Sequence, residues 1–301
     1  MVDQQPSPGE LGDVDAATRA AILIEALPYI RSFAGKTVVV KLGGNAMVDK
    51  ALARSFAADV VLLRAVGIKP VVVHGGGPQI GALMAQLGME AEFRDGLRVT
   101  DADTLEVARM VLAGQVRGDI VSAINRHDPV AVGLSGEDAG LIMATQRDRS
   151  LGYVGDVVEV NRAILDTLLD AHFIPVISTI GADATGQALN INADTAAVAI
   201  AAALGVEKLI YLTDVPGVLT DVADPVSLVS RLSASRARLL IADGIIAGGM
   251  IPKIEACLAA VDVGVASAHV LDGRIAHVVL LELLTEAGVG TMLTRTDGAG
   301  S

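Results

Sequence analysis

The chain has 301 residues, a formal net charge of −12, 52% apolar residues and only 2% aromatics, with no Trp. That length can bury a sizeable core, which has to be built of Ala, Val, Ile and Leu, the composition of parallel strands buried on both faces. An acidic chain without Lys/Arg blocks is a poor binder of nucleic acid or anionic membrane, and its one cysteine, Cys257, excludes an intrachain disulfide framework and a multi-cysteine metal site.

In chain order, residues 1–15 are polar and read as a disordered lead; with no signal peptide and no spanning apolar stretch, a soluble cytoplasmic protein is expected. The periodicity predicts a helix over 16–33, with Ala20, Ile24, Leu27 and Ile30 on one face and a kink at Pro28. That helix packs either on another subunit or on its own domain. Strands are predicted at 37–41, 70–74, 130–133, 173–178, 208–213 and 266–271, and helices at 50–66, 78–87, 101–117, 161–170, 193–204, 233–243 and 251–263. Such alternation predicts an α/β fold with a mainly parallel sheet and helices on both faces. Runs at 141–145 and 153–160 flank a charged turn and read as a hairpin of the kind that serves as a lid. A boundary near Gly205 divides the chain into 1–35, 36–204 and 205–301.

Two β-branched runs stop at glycine. Val38–Val40 leads into Lys41, Gly43 and Gly44, and Val71–Val73 into His74, Gly75, Gly76, Gly77 and Pro78. Glycines at strand ends let the backbone approach a ligand, and the next helix offers free N–H groups to an anion. A lysine beside such a nest suits a phosphoryl group, whereas a solvated lysine and a tight turn are the plainer readings. Neither GxxxxGK[ST] nor GxGxxG occurs, which weakens the phosphate-loop NTPase and dinucleotide readings. Asn190, Asn192 and Asp194 alternate into an apolar helix; capping explains one of them and leaves side chains for a substrate. A second glycine-rich loop from Gly244 to Gly249 places Lys253 near a helix start, against the helix dipole unless an anion sits there. Arg98 lies in a turn and offers a fork for a carboxylate, or is a surface arginine. The five histidines form no HExxH pattern and no ligand cluster, so no protein-held metal is expected.

Together the segments VVVKLGGNAM, VVVHGGGPQI, FRDGLRVTD, NINADTAA, LTDVPGV and GGMIPKIEA, in this order from about Lys36 to Leu293, resemble the amino-acid kinase family, in its branch acting on N-acetyl-L-glutamate. The resemblance implies a three-layer αβα open sandwich of carbamate kinase-like fold. It implies ATP-dependent phosphorylation of the γ-carboxylate of N-acetyl-L-glutamate in arginine synthesis, with Mg²⁺ held mainly by the nucleotide phosphates. Residues 36–204 would take the amino acid and 205–301 the ATP. By resemblance Lys41 and Lys253 stabilise the transferring group, Asp194 organises both lysines, and Gly44, Gly76 and Gly77 donate backbone N–H groups. Arg98 anchors the α-carboxylate, with Asn190 and Asn192 as further substrate contacts. Gly43, Asp214, Gly217, Val218, Leu219, Asp243, Gly244 and Gly248 look like the nucleotide edge. The N-terminal helix and the segment from His277 to Gly290 resemble arginine-inhibited, ring-shaped hexameric members, which places Tyr29, Lys208, Glu282 and Gly288 near the inhibitor. Sister kinases acting on glutamate, aspartate, carbamate or UMP, and a non-catalytic amino-acid sensor, are the competing readings.

Overall fold

Val38 and Val40 pack with Phe56, Val60 and Leu63, while Val39 between them packs with Ile200, Leu209 and Ala196. This two-residue alternation is that of a strand with a helical layer on each side. A computed structural model describes residues 14–221, 224–286 and 288–296. Eight strands form one sheet: β1 (Thr37–Leu42), β2 (Lys69–His74), β3 (Ala131–Ser135), β4 (Ile174–Ser178), β5 (Lys208–Thr213), β6 (Arg231–Ser233), β7 (Ser267–Asp272) and β8 (Thr291–Thr294). Their spatial order is β6-β8-β7-β5-β1-β2-β4-β3. Every neighbouring pair is parallel except β7 and β8. One face carries the helices Ala193–Leu204, Ala234–Ala242 and Ile251–Asp262; the other carries Lys50–Ala65, Arg117–Asn125 and Val278–Leu284. The αβα sandwich with a mainly parallel sheet is therefore as expected. The chain lays β2, β4 and β3 on one side of β1 and β5 to β8 on the other, so the order reverses beside β1, and ligands of open α/β sheets bind at such reversals.

The helix over 16–33 carries its expected kink, while the helix after Asp101, the hairpin, the helix Val278–Leu284 and the strands β6 and β8 differ from the sequence reading. The helix predicted over 16–33 breaks at Ala26 into Ala16–Glu25 and Leu27–Phe33, just before Pro28. The second piece packs Tyr29, Ile30 and Phe33 on the sheet's own helical layer, whereas the first buries no residue. The helix predicted over 101–117 continues to Asn125 through Met110–Val116, wound as a π-helix. Beyond it, Asn125 accepts from the Ala131 amide at 2.7 Å, fixing the entry to β3. The predicted hairpin, Ile142–Gln146 with Val154–Val160, is joined by Ile180–Ala182 and Ala188–Ile191 into a small closed four-stranded barrel.

The helix Val278–Leu284 is too short and too uniformly apolar to show a 3.6-residue period. Tertiary contacts fix its start. His277, at φ +58°, donates its backbone N–H to Ser55 Oγ at 2.7 Å and brings Nδ1 within 2.6 Å of the buried Asp59 carboxylate. Burial pushes the Asp59 carboxyl up to about 6, although the hydrogen bond and charge of His277 pull the other way. Among the described residues no helix is long and apolar enough to cross a membrane.

Candidate active site

The register Leu42↔His74 sets the ends of β1 and β2 side by side, so the two glycine turns open together at the carboxyl edge of the sheet. Between them lies a cleft of about 260 Å³. Lys41, Gly43 and Gly44 line one side, and Gly76 and Gly77 the other. Arg98, Asn190 and Asn192 complete it, the two asparagines being carried in by the last barrel strand and the helix start that follows.

Lys41 Nζ lies 2.8 Å from Asp194 Oδ1, with side-chain exposures of 16% and 28%. An ion pair this open stays available to a ligand. Asp194 stands in the first turn of the helix Ala193–Leu204, whose N-cap is Asn192; Asn192 Oδ1 accepts from the Asp194 amide at 2.9 Å and the Thr195 amide at 3.1 Å. Capping therefore accounts for Asn192, and Asn190 is left to donate to Thr100 Oγ1 at 3.2 Å. Arg98 is 9% exposed. Its guanidinium donates to the Gly77 carbonyl at 3.0 Å and to Met84 Sδ at 3.3 Å, and stacks 4.7 Å from the centre of the Phe93 ring. None of these partners is anionic. Burial lowers the Arg98 pKa from a high ordinary value, so the group keeps its charge at neutral pH.

Side-chain ends close over three of these glycines, and one of the three also has a positive φ. A Cβ on Gly43 would stand 2.6 Å from Lys41 Nζ, and one on Gly76 would stand 2.7 Å from Leu112 Cδ2. Gly44, at φ +62°, faces the Asp214 carboxylate so closely that a Cβ would overlap it. Asp214 is thereby placed at the β1 turn.

The remaining residues expected at the nucleotide edge do not line the cleft. Gly217, at φ +136°, packs against Thr291, and the buried Val218 spends its amide on Thr291 Oγ1 at 2.8 Å. Leu219 bridges to Leu228. Asp243 caps the end of the helix Ala234–Ala242, Gly244 follows at φ +72°, and Gly248, at φ +56°, opens the turn into Ile251–Asp262. Lys253, half-buried in the first turn of that helix, shares an electrostatic neighbour with the cleft: the buried Cys257 thiol is pushed up first by burial, then by Asp194, and eased by Lys253. Tyr211 was not anticipated. It is the register partner of Lys41 on β5, it is 2% exposed, and its phenol pKa is raised first by burial and then by Cys257 and Asp194. The only signal in the sequence is one phenol in an otherwise aliphatic strand. Among the described residues no group of three or more His, Cys, Asp or Glu side chains is arranged to hold a metal ion.

A second pocket, of about 550 Å³, is lined by Tyr29, Lys208, Glu282 and Gly288 together. Behind it His269, wholly buried on β7, joins two of them: Nδ1 lies 2.7 Å from Glu282 Oε1, and Nε2 lies 3.3 Å from Lys208 Nζ and 3.0 Å from Ser267 Oγ. Glu282 Oε2 accepts from the Val289 amide at 3.0 Å. Burial pushes the Glu282 carboxyl up, but the His269 hydrogen bond, Val289 and Lys208 together hold it below its ordinary value. Burial lowers both His269 and Lys208. Sequence reasoning missed His269, whose signal is a histidine inside an apolar strand.

The model of the amino acid kinase family matches residues 36–272, which include the cleft, both glycine turns and Lys253. This chain belongs to the amino acid kinase family. Acetylglutamate kinase of Saccharopolyspora erythraea is 57% identical over 286 residues, covering 92% of this chain and 93% of that one. Acetylglutamate kinase of Synechococcus elongatus is 52% identical over 285 residues, covering 94% and 95%. Within the amino acid kinase family the chain thus stands with the acetylglutamate kinases, whose phosphoryl acceptor is a carboxyl group. Among solved structures, N-acetylglutamate synthase from Neisseria gonorrhoeae with coenzyme A and N-acetyl-glutamate superimposes with a TM-score of 0.82 at 30% identity, covering 93% of this chain. This chain spans 64% of the length of that synthase chain. The same synthase with coenzyme A and L-arginine gives a TM-score of 0.78 at 28% identity over 92% of this chain and 65% of that one. Carbamate kinase from Giardia lamblia bound to AMP-PNP shares the fold, with a TM-score of 0.64 at 20% identity over 88% of this chain and all of that one.

Proposed function

We propose that the protein transfers the γ-phosphoryl group of ATP to the γ-carboxylate of N-acetyl-L-glutamate, a step of arginine biosynthesis. The observation that carries this reading is the cleft, where an open Lys41–Asp194 pair faces the Gly76–Gly77 turn and a buried guanidinium without an anionic partner among the described residues. A free γ-carboxylate has an ordinary pKa of about 4.3 and is ionised near neutral pH, so its attack needs no general base. What remains is in-line positioning and neutralisation of charge on the moving group. Lys41, Lys253 and the N–H groups of Gly44, Gly76 and Gly77 supply that neutralisation, and Asp194 orients the lysines. Arg98 takes the α-carboxylate through its fork, Asn190 meets the acetamido end, and Asn192, whose Oδ1 is the helix cap, meets it through Nδ2. ATP would lie along Gly43, Asp214, Gly217–Leu219 and Asp243–Gly248, and Mg²⁺ arriving with the nucleotide would add to the neutralisation of phosphate charge. On this reading residues 36–204 serve the acceptor, 205–301 the nucleotide, and 1–35 assembly, in the cytoplasm.

The second pocket supports feedback inhibition by L-arginine. Glu282 offers a carboxylate to a guanidinium, Lys208 offers a cation to an α-carboxylate, and the synthase neighbour holds L-arginine. The helix Ala16–Glu25, with Ile22, Leu23 and Ile24 all more than half exposed, supports interlacing of dimers into a hexamer.

The test is ADP release with Mg-ATP and each of N-acetyl-L-glutamate, glutamate, aspartate, carbamate and UMP, trapping acyl phosphate with hydroxylamine. Turnover with N-acetyl-L-glutamate alone is expected, and turnover only with another acceptor refutes the substrate. L-Arginine should inhibit the full chain but not one lacking residues 1–33, which should also lose the hexamer; a truncated hexamer inhibited as before refutes the regulatory part.

A further inference from the structure

His74 ends β2 and opens the glycine turn, yet no role in the chemistry above falls to it. It is wholly buried, a position where a polar ring needs a purpose. Nδ1 lies 2.9 Å from the carbonyl oxygen of Gly75, the next residue along the chain. A carbonyl only accepts, so Nδ1 carries the hydrogen and Nε2 the lone pair; Nε2 has no partner among the described residues. Burial, with Arg117 pushing the same way, lowers the His74 pKa to about 4 against the pull of the Gly75 carbonyl, so the ring stays neutral at working pH.

The carbonyl of Gly75 and the N–H of Gly76 belong to one planar trans peptide, in which the two groups point in opposite directions. Anchoring the oxygen inward on His74 therefore fixes the direction of the Gly76 N–H. Glycine peptides rotate more freely than any others, and this turn contains three glycines in succession, Gly75, Gly76 and Gly77. Without an anchor the peptide can turn over and present a carbonyl where a donor is needed. Elsewhere in the turn the Gly76 carbonyl accepts from the Ile80 amide at 2.8 Å and the Gly77 carbonyl from Arg98 at 3.0 Å, while Leu112 abuts Gly76 and Ala193 stands in front of Gly75; the anchor of the Gly75 carbonyl is His74.

We infer that His74 is a positioning residue which, through its Nδ1–H bond to the Gly75 carbonyl, aims the Gly76 amide at the phosphoryl acceptor. The inference rests on the reading of Gly76 as a backbone donor to the reacting group. It separates His74 from general acid–base chemistry, because the ring neither touches the substrate nor changes charge in turnover.

The experiment compares three variants. His74→Asn keeps an N–H at the position of Nδ1, His74→Gln moves the amide to the position of Nε2, and His74→Leu has no donor. With Mg-ATP and N-acetyl-L-glutamate, the Leu and Gln variants should lose kcat by about 10- to 100-fold, up to the lower end of the roughly 100- to 1000-fold loss that follows removal of one such donor outright, because here the donor is misdirected and not removed, with little change in KM for ATP. The Asn variant should stay within about threefold of the native protein. Folded Leu or Gln variants with native kcat overturn the inference, as does an Asn variant no better than Gln. A crystal structure of the Gln variant without substrate reads the same point independently of turnover: a Gly75 carbonyl turned into the cleft is expected, and an unmoved peptide overturns the inference. Native protein that makes no acyl phosphate from N-acetyl-L-glutamate refutes the substrate instead and leaves that crystal to decide the role of His74.

Discussion

The cleft and the Lys208–Glu282 pocket each set a lysine against a carboxylate, but they do so in opposite ways. Lys41 meets Asp194 directly at 2.8 Å, in partial contact with solvent, among glycines that contribute backbone and no side chain. Lys208 and Glu282 face each other through the ring of His269, each oxygen of Glu282 is already engaged, and burial moves all three ionisation equilibria. An open pair can be parted by an incoming anion at little cost, whereas a satisfied buried network holds one arrangement and resists losing a member. Substitutions in the cleft should therefore appear in rate, and substitutions in the pocket in stability and regulation.

The sharpest way to break this contrast is Lys41→Ala. It should lower kcat by about 10²- to 10³-fold with little change in KM for ATP or in the unfolding midpoint. Steady-state kinetics with a near-native kcat would remove Lys41 from the chemistry. Glu282→Gln should do the reverse, costing about 1–3 kcal/mol of stability in urea unfolding while kcat without arginine stays native. A fall in kcat as large as that of Lys41→Ala would erase the distinction. Gly44→Ala should combine both effects, because φ is +62° and the Asp214 carboxylate occupies the Cβ position. About 1–3 kcal/mol of strain is expected, together with weaker ATP binding, by calorimetry and thermal unfolding.

Asp59 sharpens the comparison as a buried carboxylate outside both sites. Its folded pKa of about 6 lies above the ordinary 3.8, so the folded state favours its protonated form. That contribution is complete below about pH 4 and is lost as pH rises through about 6. Asp59→Asn mimics the protonated form, keeps an acceptor for His277, and should gain on the native protein across that window by at most about 3 kcal/mol. Urea unfolding at several pH values reads this, and a difference independent of pH refutes it. The smallest effect expected is at Cys257, whose buried thiol should not react with thiol reagents until the chain is unfolded.

What could be read from the sequence follows from the range of the signal. Lys41 and the turns at Gly43–Gly44 and Gly75–Gly77 announce themselves within a few residues, because glycine after a β-branched run is a local marker. The sheet was legible for the same reason wherever its strands were long and aliphatic. The three-residue β6 was not, since its pairing depends on β8 some sixty residues later. The barrel escaped because Ile180–Ala182 shows no alternation of its own and is a strand only through partners at 142–146 and 188–191. From the sequence Asn192 reads as a substrate contact in a segment where one residue caps the helix, and the structure makes Asn192 that cap. His269 and Tyr211 were missed because a buried polar residue in an apolar strand looks like noise until its neighbours across the sheet are known.

The π-wound stretch at Met110–Val116 has a consequence for how this chain tolerates length changes. It carries Leu112, which closes over Gly76, and runs on into Arg117–Asn125, whose Asn125 locks the start of β3. A helix advances about 100° per residue, so one residue more or fewer here acts as a phase shift between its two ends. Shortening the stretch to regular α-helix would keep either Leu112 over the glycine turn or Asn125 against β3, but not both. The widened turn is the splice that lets one rod serve two rotational settings.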